Sequence, residues 1–254
     1  MRALRLLTLG LAITCSLAAC GNNTPKPGPD AGLPPEQYFG LQKGRCFEYT
    51  TGDVAETAPA LGVMVERMDT TQFSVPTYEI AYRIGGGVAM LDYVAFDQDG
   101  AMLLYKRSFQ GGKSYIYDPP LKRLLQPVFA GDRVESSSEV RIRDGSGALL
   151  ATETHNLTAD IFDDSDVSLP IGKTVTANKI AFQEKKADGT AATRSEFRTF
   201  AAGLGDRSAA DGFVKVEFDF TIDGTGGNLV YKLQKVRDLG EDPSTANPPC
   251  GGAP

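Results

Sequence analysis

The chain has 254 residues, of which 32 are acidic and 26 basic, for a formal charge of −6. An acidic balance argues against nucleic acid, whose phosphates call for a basic face. With one histidine and no tryptophan, the chain also lacks the Trp platforms that sugar-binding and glycoside-cleaving sites commonly use.

Residues 1–19 carry Arg2 and Arg5, then an apolar run from Leu6 to Leu17 broken only by small residues. A charged start, a short apolar core and a small-residue cleavage site make a secretory signal. The run is shorter than the roughly 20 residues that span a bilayer. It closes on Leu17-Ala18-Ala19-Cys20-Gly21, which resembles the lipobox of bacterial lipoproteins. That resemblance implies cleavage before Cys20, a diacylglycerol on the Cys20 thiol and acylation of the new amine. Several acyl chains anchor stably where one binds marginally. In this family an Asp after the lipidated Cys commonly marks inner-membrane retention. Gly21 therefore points to the outer membrane, on its periplasmic face or at the cell surface.

Losing Arg2 and Arg5 with the signal leaves 24 basic against 32 acidic residues, a formal charge of −8. Attachment to anionic lipid by charge is then excluded, and the acyl chains on Cys20 become the sole membrane contact. In residues 21–36, five of sixteen are Pro and three are Gly. Such a segment cannot bury a core, so residues 20–36 read as a lipidated, disordered tether.

Residues 37–240 read as one all-β domain. Short alternating runs open with Arg45–Thr50 and continue through Leu61–Met68, Phe73–Ile84, Val88–Phe96 and Met102–Phe109. Gly85-Gly86-Gly87 is a bend between strands. Asp97-Gln98-Asp99-Gly100 is a hairpin turn, because Asp and Gly accept positive φ. The same logic pairs Val134–Arg143 with Ala148–Leu157 across Asp144-Gly145-Ser146-Gly147. It pairs Val175–Lys185 with Thr193–Ala201 across Asp188-Gly189, and Phe213–Ile222 with Leu229–Val236 across Asp223–Gly227. Val214, Val216, Phe218 and Phe220 alternate with Lys215, Glu217 and Asp219, the pattern of a sheet with one wet face. Leu121, Leu124, Leu125 and Val128 have helical spacing, so Pro119–Pro127 could make a turn or two of helix, its length limited by Pro127, and the chain holds at most one short helix. Asp160–Ile171 is acidic, lacks clear alternation and is expected to be a loop. The fold class is therefore all-β, an antiparallel meander of about 10–12 strands. Full closure makes a barrel; an open side makes a curved half-barrel, an open barrel or a β-sandwich.

Tyr38-Phe39-Gly40-Leu41-Gln42-Lys43-Gly44-Arg45-Cys46-Phe47-Glu48-Tyr49 resembles the opening of uncharacterised exported β-rich lipoproteins. Phe197–Gly205, followed by Phe213-Val214-Lys215, is similar to their closing segment. Phe47 stands where those proteins usually carry Trp, and residues 206–212 read as an insertion. The resemblance implies a curved periplasmic β-sheet, in some relatives with lipid or lipoprotein cargo on the concave face.

Of four cysteines, Cys15 leaves with the signal and Cys20 is lipidated. Cys46 and Cys250 remain, in an oxidising compartment where such a pair forms a disulfide. The bond would pin the tail, residues 241–254, against the first strand. Closing a loop of about 200 residues constrains the unfolded chain by roughly 4–5 kcal/mol in the chain-entropy model.

No catalytic constellation emerges, and no cofactor motif. His155 sits alone in a strand and reads as structural. Gly145-Ser146-Gly147 lacks the strand–turn–helix setting of a nucleophile elbow. Asp160, Asp163, Asp164 and Asp166 are weak calcium candidates, because calcium takes closely spaced oxygens. Their spacing is not that of an EF-hand and no Gly sits at the required turn, so a solvated acidic loop explains them better. Tyr78, Tyr82, Tyr93, Tyr105, Tyr115 and Tyr117 crowd the first half. They serve cross-strand packing or line a face for an apolar ligand or a protein partner. The leading expectation is a membrane-anchored, non-enzymatic envelope lipoprotein that binds such a partner or ligand. The competing one is a surface hydrolase that uses dispersed carboxylates or calcium.

Overall fold

A computed structural model describes residues 41–69, 72–125, 128–200, 213–222, 225–240 and 242–253. The signal, Cys20 and the tether lie outside the described residues. Twelve strands follow one another: β1 (Arg45–Thr50), β2 (Leu61–Asp69), β3 (Thr77–Ile84), β4 (Gly87–Phe96), β5 (Met102–Phe109), β6 (Ser114–Leu124), β7 (Arg133–Arg143), β8 (Leu149–Ser168), β9 (Thr174–Lys186), β10 (Ala191–Phe200), β11 (Phe213–Ile222) and β12 (Thr225–Asp238). Each pairs antiparallel with its sequence neighbours, and β1 pairs with both β2 and β12. The ring of pairing thus closes on itself, which decides among the architectures that strand spacing left open.

The turns explain the meander. Asp97 Oδ1 accepts the Asp99 and Ala101 N–H groups at 3.0 and 2.8 Å. Asp144 Oδ1 accepts those of Ser146 and Ala148, both at 2.9 Å. Asp188 Oδ1 accepts that of Thr190 at 2.9 Å. Each carboxylate fixes a two-strand reversal in its own backbone. Gly85 and Gly86 join β3 to β4 with φ of 57° and 79°, a pair of left-handed residues that most side chains would strain.

Two expectations are corrected. Residues 119–124 are strand, not helix, and the one 3-10 turn among the described residues is Pro243–Thr245. Leu121, Leu124 and Val128 are fully buried, so their spacing reports core positions while the backbone stays extended. A residue before proline disfavours the helical region, and Asp118-Pro119-Pro120 applies that rule twice. Residues 160–168 are likewise not a loop but the second half of β8, paired with β9 through Ser168↔Thr174. Leu157, Ala159, Ile161 and Val167 are all buried on two-residue spacing. The Asp/Ser run at 163–166 interrupts that period in the sequence.

One contiguous apolar cluster, from Phe47 and Tyr49 on β1 to Phe182 on β9 and Leu233 on β12, fills the described interior. The Tyr117 hydroxyl on β6 reaches Glu184 on β9 at 3.2 Å, and the Arg123 guanidinium lies 4.0 Å from the centre of the Phe182 ring. Side chains of β6 and β9, which do not pair with each other, therefore meet inside the barrel. The outward row of β7 presents Arg133, Glu135, Glu139 and Arg141. A lipid-facing barrel wall carries an apolar band there; this wall has the reverse polarity.

The C-terminal tail packs on the outside of β1–β3. Cys46 and Cys250 are bonded, with Cα atoms 5.7 Å apart and 204 residues between them in sequence. Arg237 donates to Glu48 Oε1 at 2.6 Å and to the carbonyls of Pro248 and Pro249 at 3.2 and 3.0 Å. Gly86 N–H donates to Gly251 O at 2.9 Å. With the core on one face and the tail on the other, every residue of β1 is buried. Gly62 is the close-approach point, where an added Cβ would stand 2.5 Å from Gly251 N. Gly62→Ala is therefore expected to cost about 1–3 kcal/mol, the usual range for overpacking. Gly87→Ala, where the nearest atom would be Ile84 O at 3.6 Å, should stay within about 0.5 kcal/mol. Thermal unfolding of both variants checks this, and equal losses would contradict tail docking at Gly62.

Candidate functional site

Two linked features stand out: a chain of charged and polar groups inside the barrel, and a groove on the wall behind it. The inner chain starts at Asp92 on β4, which is wholly buried. Arg107 lies directly across from it on β5 and donates Nε and Nη2 to its two carboxylate oxygens at 2.6 and 2.7 Å. This is the fork-to-fork geometry in which Arg–carboxylate pairs are strongest. Arg123 on β6 adds a longer contact to Asp92 at 3.5 Å.

The second half of the chain centres on His155 of β8, also fully buried. Its Nδ1 meets Glu184 Oε1 at 2.7 Å and its Nε2 meets Glu153 Oε2 at 3.2 Å. Lys186 then donates to Glu153 Oε1 at 3.1 Å. Lys186 and Glu153 are 37% and 28% exposed, so the chain runs from solvent at the barrel rim into the core. A carboxylate on each ring nitrogen suits the imidazolium, because the neutral ring has only one N–H to give. Burial by itself lowers the His155 pKa, but the hydrogen bonds and charges of Glu184 and Glu153 outweigh it, and the net shift is upward. Burial, reinforced by the Glu184 carboxylate, raises the Tyr117 phenol well above its ordinary 10.0.

The groove arises where β6 leaves the ladder. Pairing jumps from Lys106↔Ile116 to Leu104↔Leu121, so β5 spends one residue where β6 spends four. Pro119 and Pro120 have no N–H to give to a neighbouring strand, and the Asp118–Pro119 bond is cis. The displaced segment leaves a half-open cavity of about 390 Å³ whose lining includes Phe73, Tyr105, Lys106, Ile116, Pro120 and Arg141, together with Tyr117. The Phe73 and Tyr105 rings are 5.1 Å apart. Tyr117 belongs to both features, as part of the groove lining and as the donor to Glu184.

The tyrosines expected to pack or to line a face divide between those roles. Tyr82, Tyr115 and Tyr117 belong to the core, with Tyr78 packed against it; Tyr105 lines the groove, with Tyr93 beside it, 6.2 Å from Phe73. His155 sits in the core. Of the acidic candidates, Asp160 pairs with Arg133 at 3.2 Å and Asp166 is exposed; the side chains of Asp163 and Asp164 lie outside the described residues. No group of three or more His, Cys, Asp or Glu among the described residues is arranged to hold a metal ion. The carboxylates that come together, Glu153 and Glu184, do so around His155 inside the barrel and not in a cleft.

Asp92, Arg107, Arg123 and Glu184 were not among the candidates, although the period held a signal for them. Asp92 shares parity with Met90 and Val94, and Glu184 with Ile180 and Phe182. A charge on the apolar parity of a strand marks a buried ion that must find a partner. Comparison with protein-family models, with curated proteins and with solved structures gave no match.

Two outcomes follow. Asp92→Leu strands two buried guanidiniums and should cost about 3–5 kcal/mol, whereas Arg133→Ala at the exposed Arg133–Asp160 pair should cost about 0–1 kcal/mol; urea unfolding distinguishes them. For His155, a folded pKa above the ordinary 6.5 means that folding favours the charged ring. That stabilisation is complete below pH about 6.5 and is lost as pH rises through the folded value. Urea unfolding should show stability falling over that window in the wild type and a flat profile for His155→Gln. Because the chain has one histidine, its ring-nitrogen NMR signal reports the folded pKa directly; a value below 6.5 would contradict the assignment.

Proposed function

We propose that the protein is a lipid-anchored, non-enzymatic binding module of the bacterial envelope, held at the outer membrane by acyl chains on Cys20. In this reading it takes its ligand on the outer wall of its barrel. The observation that carries it is the groove over Ile116. It is a concavity in the 300–1,000 Å³ range of small-ligand sites, built on three adjacent strands and backed by a buried polar network, while the barrel's own side chains occupy the described interior. The lipobox at Cys20 and the Pro/Gly tether supply the anchor. The charged outer row of β7 supports a body that stands in water beside the membrane.

Native mass spectrometry of the protein extracted gently from envelopes tests both halves. The reading expects an N-terminal peptide that begins at an acylated Cys20, and a non-covalent adduct that Ile116→Glu removes. An unmodified residue 20 would overturn the anchor. An adduct that survives Ile116→Glu, or no adduct in the wild type, would overturn the groove as the binding site.

A further inference from the structure

The groove contains more cationic donor capacity than its neighbours use. Lys106 on β5, Ile116 on β6 and Arg141 on β7 lie side by side in register, so two cations flank one apolar residue on the outer face. The Lys106 ammonium sits 5.0 Å from the centre of the Tyr93 ring and has no carboxylate within ion-pair distance among the described residues. It is partly buried, and burial pulls its pKa below the ordinary 10.5 against the raising influence of Glu79. Glu79 itself is held by Arg67 at 2.9 Å. Arg141 donates through Nη2 to Asp118 at 3.3 Å, while its Nε is buried without a hydrogen-bond acceptor among the described residues. Beside these donors the walls are Phe73, Tyr105, Ile116 and Pro120, all apolar or aromatic.

Burying a cation without its counter-charge is costly, and a donor held out of water without an acceptor adds to the cost. A ligand that offers both donors an anion, and offers the walls an apolar body, relieves both at once. We infer that the groove binds a small amphiphilic carboxylate, its anionic head between Lys106 and Arg141 over Ile116 and its apolar body along Phe73, Tyr105 and Pro120. This rests on the groove being the binding site and assigns the chemistry of what it takes. A cationic or purely polar ligand does not fit, since Asp118 is exposed and already engaged by Arg141.

Isothermal titration of the full mature chain, with Cys20→Ser to keep it out of membranes, tests this with decanoate, 1-decanol and decyltrimethylammonium below their micelle concentrations. Decanoate should bind at one site at least about tenfold more tightly than decanol, the discrimination expected of a charge-assisted hydrogen bond. Decyltrimethylammonium should bind most weakly. Lys106→Gln should erase the difference between decanoate and decanol while leaving decanol binding unchanged. Ile116→Glu should abolish both. Equal affinity for decanoate and decanol, with both lost in Ile116→Glu, would overturn the carboxylate preference and leave the groove as an apolar site. No saturable binding of any of the three, or binding unaffected by both substitutions, would overturn the inference outright.

Discussion

The Asp92–Arg107 pair governs the interior of this barrel. Strand pairing alone sets it up, because the two residues face each other in register, and both are essentially excluded from water. With Asp92 committed to Arg107, Arg123 makes only a longer contact to Asp92 Oδ2, and its guanidinium lies over the Phe182 ring of β9. Tyr117 and Glu184 make a second contact between the same two strands. Apolar residues of equal volume would serve stability as well or better. What the charges add is a penalty on any other collapse, since a strand slipped by one residue would turn each ion to the wrong face.

The groove follows from the same arrangement. Ser114 to Tyr117 continue the β6–β7 ladder with the two tyrosines inward, and Leu121 and Arg123 return to the interior beyond the prolines. Four residues must then bridge a gap that β5 crosses with Tyr105 alone. The outward excursion of Asp118-Pro119-Pro120 is the geometric consequence, and Tyr117 is left as a shared wall between solvent-facing groove and buried network. On the other side of the molecule the tail and the Cys46–Cys250 bond cover the seam where β1 meets β2 and β12. The first strand of the chain therefore cannot act as an exposed edge.

Much of the fold was legible in the chain, because hairpins leave local marks. Asp-x-x-Gly and Gly-Gly turns fall between runs of clean alternation, and the bounds of β1, β5 and β11 coincide with those runs. The pairing of Cys46 with Cys250 followed from subtraction, once Cys15 and Cys20 were set aside. The middle of the chain was less legible for a physical reason. In β6 two prolines and a bulge put core residues at spacings of three, which mimics a helical period. In β8 a cluster of Asp hides a strand whose apolar positions resume at Val167. The inner network was hidden differently: its members come from five strands between residues 92 and 186, and only closure of the sheet brings Glu184 to Tyr117. The groove was least legible of all, since it is made by unequal strand lengths rather than by any motif.

Arg107 is held by Asp92 in a barrel interior filled by side chains. Proton exchange at arginine Nε, read by NMR, tests this most directly, because the molecule contains its own control. Arg107 Nε donates to Asp92 at 2.6 Å and Arg133 Nε donates to Glu135 at 2.8 Å; the side chain of the first is 3% exposed and that of the second 56%. The Arg107 Nε–H should persist at pH 8 while the Arg133 signal is lost to exchange with water. Arg107 exchanging as fast as Arg133 would mean that water fills the lumen, and would contradict this packing.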